Sequence, residues 1–540
     1  MSPLGNRNYI VLFGLLALIF VAGMFVPLMD NDAAHHANIA LRMYLTGDYV
    51  NLIDNGKDYL DKPHLHFWLA AISYKILGVN EGAYKLPSLL LSVAGLFSLY
   101  KLGSLLYNQE TGRLSALILA TAFAFMLSLS DVRMDAILVA AICFSCWQLL
   151  EVINKKGWIY IAGAALGLAV GFSVKGSVGL IVPLVFLGWY VIEKKQWAFL
   201  YSFRFFSLIL LLVVFISPVL YCYYLQFNIH PEKIVRGKDH IDGIKFALFG
   251  GGAERFSGGM SQDGKKDILF FFYTFLWAFA PWSIFAYLAI VKTIREKKDW
   301  FVSATILSLA LLIGLAGSKL PHYLNISFPF SAILVAQFIN ERPPTKLVRI
   351  VMYSMMGIVL ICHLIVNGWL FPEKIIRLLV FLFVFMAGSV VSTKTPRDTE
   401  PFTYLVRSIL LLYLFLNMNF YQVLLTYQGG QELAEKTRGQ VNPETVYFWK
   451  NNYSSSYCFA TRTLRKEWGD GEQLNDPSAH LVYDIAYEKE IEGAGVILGE
   501  KVFVKDFEIT KLDKEFVNPK TREAHCSKLV MARVISFRKL

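Results

Sequence analysis

Six carboxylates and a lysine crowd one short stretch of this chain. Between Asp30 and Trp68 stand Asp30, Asp32, Asp48, Asp54, Asp58 and Asp61, with Lys62 beside the last. Apolar sequence flanks the stretch on both sides, so these acids are held close to a bilayer surface. A carboxylate there can take a proton from an attacking hydroxyl, and an ammonium there can meet a lipid phosphate as a point charge. Asp32 precedes an amphipathic segment, Ala33–Thr46, with Ile39 and Met43 at helical spacing. An N-cap role for Asp32 and a role as base are compatible, and the cap alone leaves Asp30 unexplained. Lys62, in Asp61-Lys62-Pro63, reads either as a snorkelling side chain or as a clamp on phosphate. Asp61, His64 and His66 form a weak candidate metal set with no clear fourth ligand.

Three further places on the chain carry polar groups where apolar residues would be expected. Asp131-Val-Arg133-Met-Asp135 joins two apolar stretches, and Asp135 opens the second, where a charge is costly unless it is paired, caps the helix or is functional. Lys175 sits in the tight turn Ser173-Val-Lys-Gly176, as an anchor or as part of the same site. Residues 226–266 form a long basic loop with Lys233, Arg236, Lys238, Lys245, Arg255, Lys265 and Lys266 and two glycine clusters. A connection of this length is unusual without a task, and it reads as a cover over an anionic headgroup or as a surface attracted to one. Ser318-Lys319-Leu-Pro-His-Tyr323 adds a cation and a phenol.

Composition fixes what must position these groups. The 540 residues are 55% hydrophobic and only 17% charged, well below the quarter or so usual in soluble domains. The expected class is a polytopic α-helical membrane protein. Apolar stretches recur near 9–28, 85–106, 112–130, 134–151, 158–174, 177–192, 205–225, 267–291, 301–317, 322–340, 347–369, 375–392 and 402–425, about thirteen spans. The first is read as a retained span, without the small-residue cleavage site of a signal peptide. Phe67–Leu77 is too short to cross and is expected to lie at the interface. The net charge of +11 follows from the positive-inside rule and implies no nucleic acid. With the N-terminus inside, nearly every short basic loop falls inside, the turn near Lys374 and Arg377 being the exception. The polar features, 30–84, 130–135, 175–176, 226–266 and 318–323, then all open outside.

Residues 1–426 thus form the membrane domain, with 30–84 as the first outer loop and 226–266 as a long outer one. Residues 427–540 change composition to short, alternating apolar runs punctuated by Gly and Asp, expected to be a soluble outer α/β domain. Cys143, Cys146, Cys222 and Cys362 read as core residues. Cys458 and Cys526 could pair if that domain meets an oxidising compartment. There is no Walker loop and no Rossmann glycine fingerprint, and an outward site has no ready access to ATP or a nucleotide sugar. A phosphate carried in the membrane as a lipid is the natural donor.

These residues resemble the lipid-phosphate-sugar-dependent glycosyltransferases of the GT-C class, in particular the bacterial aminoarabinose–lipid A transferases and the protein O-mannosyltransferases. The resemblance rests on Asp32 followed by Gly47-Asp48, Asp61-Lys62-Pro63, Met134-Asp135-Ala-Ile-Leu, Val174-Lys175-Gly176, Arg255-Phe256-x-Gly-Gly, Ala280-Pro281-Trp282 and Lys319-Leu320-Pro321-x-Tyr323, in that order. It implies an inverting transfer from a polyprenyl-phosphate sugar to an acceptor hydroxyl on lipid A, a protein or another glycan, in the bacterial inner membrane. It matches Asp32 to the essential first-loop acid and Asp135 to a second acid. It also matches Lys62 to the cation on the lipid phosphate, and Arg255 and Tyr323 to groups around it; Lys319 adds a further cation, with Asp30, Asp61 and Lys175 in support. Ala33 stands where the family has Glu, Asp61 replaces another Glu, and the His common in the large loop has His240 as its nearest equivalent; a divalent metal stays open. Two rivals remain. One is an outer-face ligase moving a whole glycan from a polyprenyl diphosphate. The other is a lipid transporter, which would place its polar residues deeper in the spans.

Overall fold

A computed structural model describes residues 4–30, 32–131, 134–155, 157–250, 267, 269–317, 319–341, 345–372, 400–450, 454–468 and 478–537. The expected span 375–392, the basic turn at Lys374 and Arg377, Arg133, Arg255, Ser318 and the glycine-rich part of the long loop lie outside these residues.

The first helix, α1 (Asn6–Met24), leads to a polar segment that is itself structured. It contains α2 (Asp32–Thr46), a hairpin of β1 (Ile53–Asp54) and β2 (Lys57–Asp58), and the apolar helix α3 (Leu65–Leu77). The hairpin turn is Asn55-Gly56, both at positive φ (50° and 79°), the pair that two-residue turns of this hand require. On α3, Ile72, Ile76 and Leu77 are exposed while Phe67, Ala70, Ala71 and Tyr74 are buried, as suits a helix lying on a membrane surface. There follow α4 (Glu81–Leu106), α5 (Gln109–Ala120), α6 (Phe123–Ser130), α7 (Asp135–Lys155), α8 (Trp158–Lys175), α9 (Val178–Lys194) and α10 (Phe203–Tyr223).

Among the described residues eight helices are long and apolar enough to cross a membrane, nine if α5 and α6, bent by 59°, count as one span. That is fewer than the thirteen apolar stretches of the sequence. The stretch 177–192 and the stretch 301–317 form helices of 17 and 15 residues. The stretch 267–291 is divided into Phe270–Ala278 and Ser283–Glu296, because Pro281 has no N–H to continue the ladder. Apolarity reports burial in lipid or protein and does not register such a break.

At the centre stands α7, packed against α4 and α8 and buried along nearly its whole length. By contrast, α10 and Lys346–His363 expose rows of Leu, Ile and Val, the surface a lipid-facing helix presents. With 21 residues, α7 is about 30 Å long and joins two sets of loops. At one end Arg204 donates to the Val152 carbonyl, and beyond it Lys194 pairs with Asp299 at 2.8 Å and Asn340 donates to Asn108. At the other end gather 30–84, 130–135, 175–176, 226–250 and 319–323.

α8 and α9 cross through glycines. A Cβ on Gly179 would lie 2.1 Å from the Gly171 carbonyl carbon. This close crossing sits one turn from Lys175 and sets its direction. Gly179→Val is expected to destabilise the folded protein by about 3 kcal/mol or more, read as lost monodisperse protein and a lowered Tm in detergent.

Residues 429–537 form a five-stranded mixed sheet in the order β4-β3-β5-β7-β6. Its strands are β3 (Val446–Trp449), β4 (Glu467–Trp468), β5 (His480–Asp484), β6 (Val496–Asp506) and β7 (Ser527–Phe537). β3 runs parallel to β4 and β5; β7 is antiparallel to β5 and β6. Val482, Leu529 and Met531 pack on one face with helix Gly429–Thr437, and Leu481, Tyr483, Val530 and Ala532 on the other with Ile491, the period of two that strands impose. Cys458 and Cys526 are both free. Cys458 is buried in helix Ser455–Thr461, while the Cys526 thiol contacts the Arg522 carbonyl at 3.2 Å, so the pairing considered from sequence is not formed.

Candidate active site

Asp32 occupies the first turn of α2, where the helix N-terminus favours a carboxylate. The hairpin folds back over this helix, and His35 Nε2 lies 2.9 Å from Asp54 Oδ2. Tyr59, just beyond the hairpin, is half-buried within electrostatic reach of Asp61, Asp54 and Asp32; burial first, then these charges, hold its phenol well above the ordinary range. Three of the acids scattered along 30–61 therefore lie around Tyr59.

The long loop is docked on this segment. Gln226 accepts from the Leu52 N–H at 3.0 Å and donates to the Leu52 carbonyl and to Asp58, at 2.8 and 2.9 Å. Lys233 pairs with Asp58 at 3.1 Å, and Arg236 approaches Asp61 at 3.7 Å. Asp61 also pairs with its neighbour Lys62. Further along, Lys319 donates to the Asp267 carbonyl at 2.6 Å, tying the far end of the loop to the Lys319–Tyr323 turn.

Beside this lies a buried ion pair. Lys175 Nζ is 2.6 Å from Asp135 Oδ1, and both side chains are at most 6% exposed. Lys175 also stands 5.8 Å from the centre of the Tyr323 ring. Lys175 and Tyr323 line an open cleft whose remaining walls, Ser177 apart, are apolar, among them Val178, Ile181, Leu312 and Ile326. Met134 and Val174, the neighbours of this pair, share one apolar core with Ala33 and Ala34 of α2. The structure thus brings Asp32, Asp61, Lys62, Asp135, Lys175 and Tyr323 to one end of the bundle.

The metal set does not assemble. His64 Nε2 contacts the Val50 carbonyl at 2.8 Å, and His66 Nε2 contacts the Tyr84 hydroxyl at 2.9 Å. His240 is exposed and lies beside Asp239. Among the described residues no three His, Cys, Asp or Glu side chains converge as metal ligands. One residue apart on either side of Leu65, His64 and His66 are separated by about 200° of helical rotation, so their rings point apart. Burial lowers both imidazoles to about 4 from 6.5. Unfolded, they take up protons near pH 6.5; folded, only near 4. Stability from keeping them neutral is complete above pH 6.5 and is lost as pH falls towards 4, by up to about 1.4 kcal/mol per unit for each ring. Tm measured across that window should fall on acidification, and less steeply in His66→Phe.

Three features were not read from the sequence. Asn55-Gly56 is a hairpin signal that its dipeptide announces. Lys85, inside an apolar helix, donates to the Gly23 and Val26 carbonyls at 3.0 and 2.5 Å and so caps α1 where the chain turns into the acidic segment; a lysine in a span is itself the signal. Gln226 had none, since a buried amide looks like any loop residue until its partners are known.

Known proteins resemble this chain in sequence and in fold. Residues 61–222 match the family model described as dolichyl-phosphate-mannose-protein mannosyltransferase. An undecaprenyl phosphate-alpha-4-amino-4-deoxy-L-arabinose arabinosyl transferase of Pseudomonas aeruginosa is 23% identical over 350 residues, 62% of this chain and 59% of its own. An uncharacterised protein of Aquifex aeolicus is 23% identical over 353 residues, 63% of this chain and 65% of its own. The matched region thus spans about three fifths of the length of these relatives. The crystal structure of ArnT from Cupriavidus metallidurans bound to undecaprenyl phosphate superposes with a TM-score of 0.72 at 16% identity, covering 99% of this chain and all of that one. The chain shares the fold of that ArnT structure. The superposition includes the C-terminal sheet, so the fold likeness extends over both the helical bundle and the sheet.

Proposed function

We propose that this chain transfers a sugar from a polyprenyl-monophosphate donor to an acceptor hydroxyl, with inversion, on the outer face of the bacterial inner membrane, as a GT-C glycosyltransferase. The observation that carries this is the cleft headed by Lys175 and Tyr323. Its apolar walls suit a polyprenyl chain, and Lys175, ion-paired with Asp135, and the Tyr323 phenol offer donors to a phosphate. The Pseudomonas relative's named undecaprenyl phosphate-linked sugar and the undecaprenyl phosphate held by the Cupriavidus protein support the same donor class.

Asp32 takes the proton of the acceptor hydroxyl as its oxygen bonds to the anomeric carbon. The bond from that carbon to the phosphate oxygen breaks, and polyprenyl phosphate leaves with the electron pair. Lys62, Lys175, Arg255 and Lys319, with the Tyr323 phenol, stabilise the charge on the departing phosphate, and the long loop excludes water so that transfer outruns hydrolysis. Lipid A, a protein or another glycan each offers the acceptor hydroxyl. The C-terminal sheet domain lies on the same outer side.

A donor screen with purified protein in lipid tests this. Polyprenyl-monophosphate sugars are expected to yield transfer and free polyprenyl phosphate. Turnover of diphosphate-linked oligosaccharide alone would replace this reading with the ligase, and uptake of lipid-linked sugar without bond cleavage would replace it with a transporter.

A further inference from the structure

Asp30 has no part in the chemistry above, yet it is among the most fully engaged carboxylates in the structure. Ser454 and Ser456 hydroxyls each donate to Asp30 Oδ2 at 2.9 Å, and the Ser456 N–H donates to Oδ1. The Asp30 N–H donates to Gln428 Oε1 at 2.6 Å, and Gln428 Nε2 donates back to the Leu28 carbonyl at 2.8 Å. All these partners lie about 400 residues further along the chain, at the entrance to the sheet domain and in its first loop.

The contact continues beyond Asp30. Asn38, on α2, donates to the Ser455 carbonyl at 2.8 Å. Phe459 of helix Ser455–Thr461 is buried in the core that α2 and α3 share, with Ala33, Ala34 and Tyr74. The serine loop is itself backed closely: a Cβ on Gly430 would lie 1.8 Å from Ser454 Oγ, so helix Gly429–Thr437 leaves it no room to retreat.

We propose that the C-terminal sheet domain is part of the catalytic apparatus, with Asp30 as a positioning residue that aims Asp32. This rests on the reading of Asp32 as the base. Asp30 lies two residues before Asp32 at the start of α2, and charge-assisted hydrogen bonds from three donors fix Asp30. Gln428 fixes the two peptide groups on either side of Met29, just before Asp30, through the Leu28 carbonyl and the Asp30 N–H. Asn38 ties α2 to the same loop nearly two turns further on, and Phe459 shares one core with α2 and α3. The helix that carries the base is thereby pinned at its start and along one side by a domain distant in sequence. A misplacement of about 1 Å in such a group costs roughly 10²-fold in rate.

The test compares the full-length chain with Asp30→Ala, Asp30→Asn and Ser454→Ala/Ser456→Ala, measuring kcat per folded molecule and KM for a polyprenyl-monophosphate sugar. Asp30→Ala is expected to lower kcat by roughly 10²-fold with KM for the donor little changed. The double serine variant should reproduce that loss, and adding it to Asp30→Ala should cost little more. Asp30→Asn keeps an acceptor for the Ser456 N–H and should recover much of the rate. In an Asp32→Asn background Asp30→Ala should change the residual rate by less than about twofold, because the group it aims is gone. The proposal is overturned if kcat per folded molecule is unchanged in Asp30→Ala, or if the same loss persists without Asp32, as a general structural defect would give. Failure of the wild-type chain to use any monophosphate donor overturns the proposed reaction instead, and is read before any variant.

Discussion

Asp32→Asn is expected to reduce transfer by about 10²- to 10⁴-fold in kcat, the range spanned by a lost general base, with the protein folded and the donor still bound. The substitution is close to isosteric and keeps an acceptor oxygen in the first turn of α2, so helix and loop are retained. What is lost is basicity. Transfer of labelled sugar in proteoliposomes measures it, with binding of the labelled donor as control. A KM for the donor that stays near wild type places the effect in the transition state; a rate within about threefold of wild type removes Asp32 from the mechanism. Asp32 is chosen as the match to the first-loop acid of the glycosyltransferases that the sequence resembles, and three of the other acids have structural partners. Asp48 is held by Arg42 and Asn51, Asp58 by Gln226 and Lys233, and Asp30 by the serine loop.

Lys175→Met is expected to have two separable consequences. It withdraws the cation 2.6 Å from a buried carboxylate, and breaking a buried pair in this way typically costs about 3–5 kcal/mol. It also removes a charge from the head of the cleft, where loss of one such group costs roughly 10²- to 10³-fold in kcat. Lys175→Met combined with Asp135→Leu separates the two. An apolar pair of similar volume restores stability, so Tm should return towards wild type while transfer stays low and donor affinity stays weak. If transfer recovers along with Tm, the pair serves the fold alone and the cleft needs another cation for the phosphate.

The acidic segment shows how far local sequence reached. Asp32 at the start of an amphipathic run gave α2, and the apolar run ending at Leu77 gave α3, because both depend on periods of three to four residues. Loop charge placed the 30–84, 130–135, 175–176, 226–266 and 318–323 segments together, and the described parts of all five do meet at one end of the bundle. Alternating short runs announced the C-terminal sheet. These are features that composition and period carry by themselves.

Other features required the chain to be folded. Asp135 and Lys175 were each legible as costly charges, but their pairing depends on how α7 and α8 cross, 40 residues apart. Asp61, His64 and His66 looked like ligands because they are close in sequence; the turn of α3 sends His66 to Tyr84 and leaves His64 on Val50. The acids of the first loop have the same residue type and similar surroundings in the sequence. Which of them is tied to the sheet domain, which to the long loop and which faces Tyr59 is set by contacts from residues such as Gln226 and Ser456, hundreds of positions away. By itself the sequence determined a membrane-embedded bundle with an acidic site at its surface, because hydropathy and charge are local sums. Only the tertiary structure sorted those acids by the partners that hold them, since that depends on the distance and direction of groups that no local period encodes.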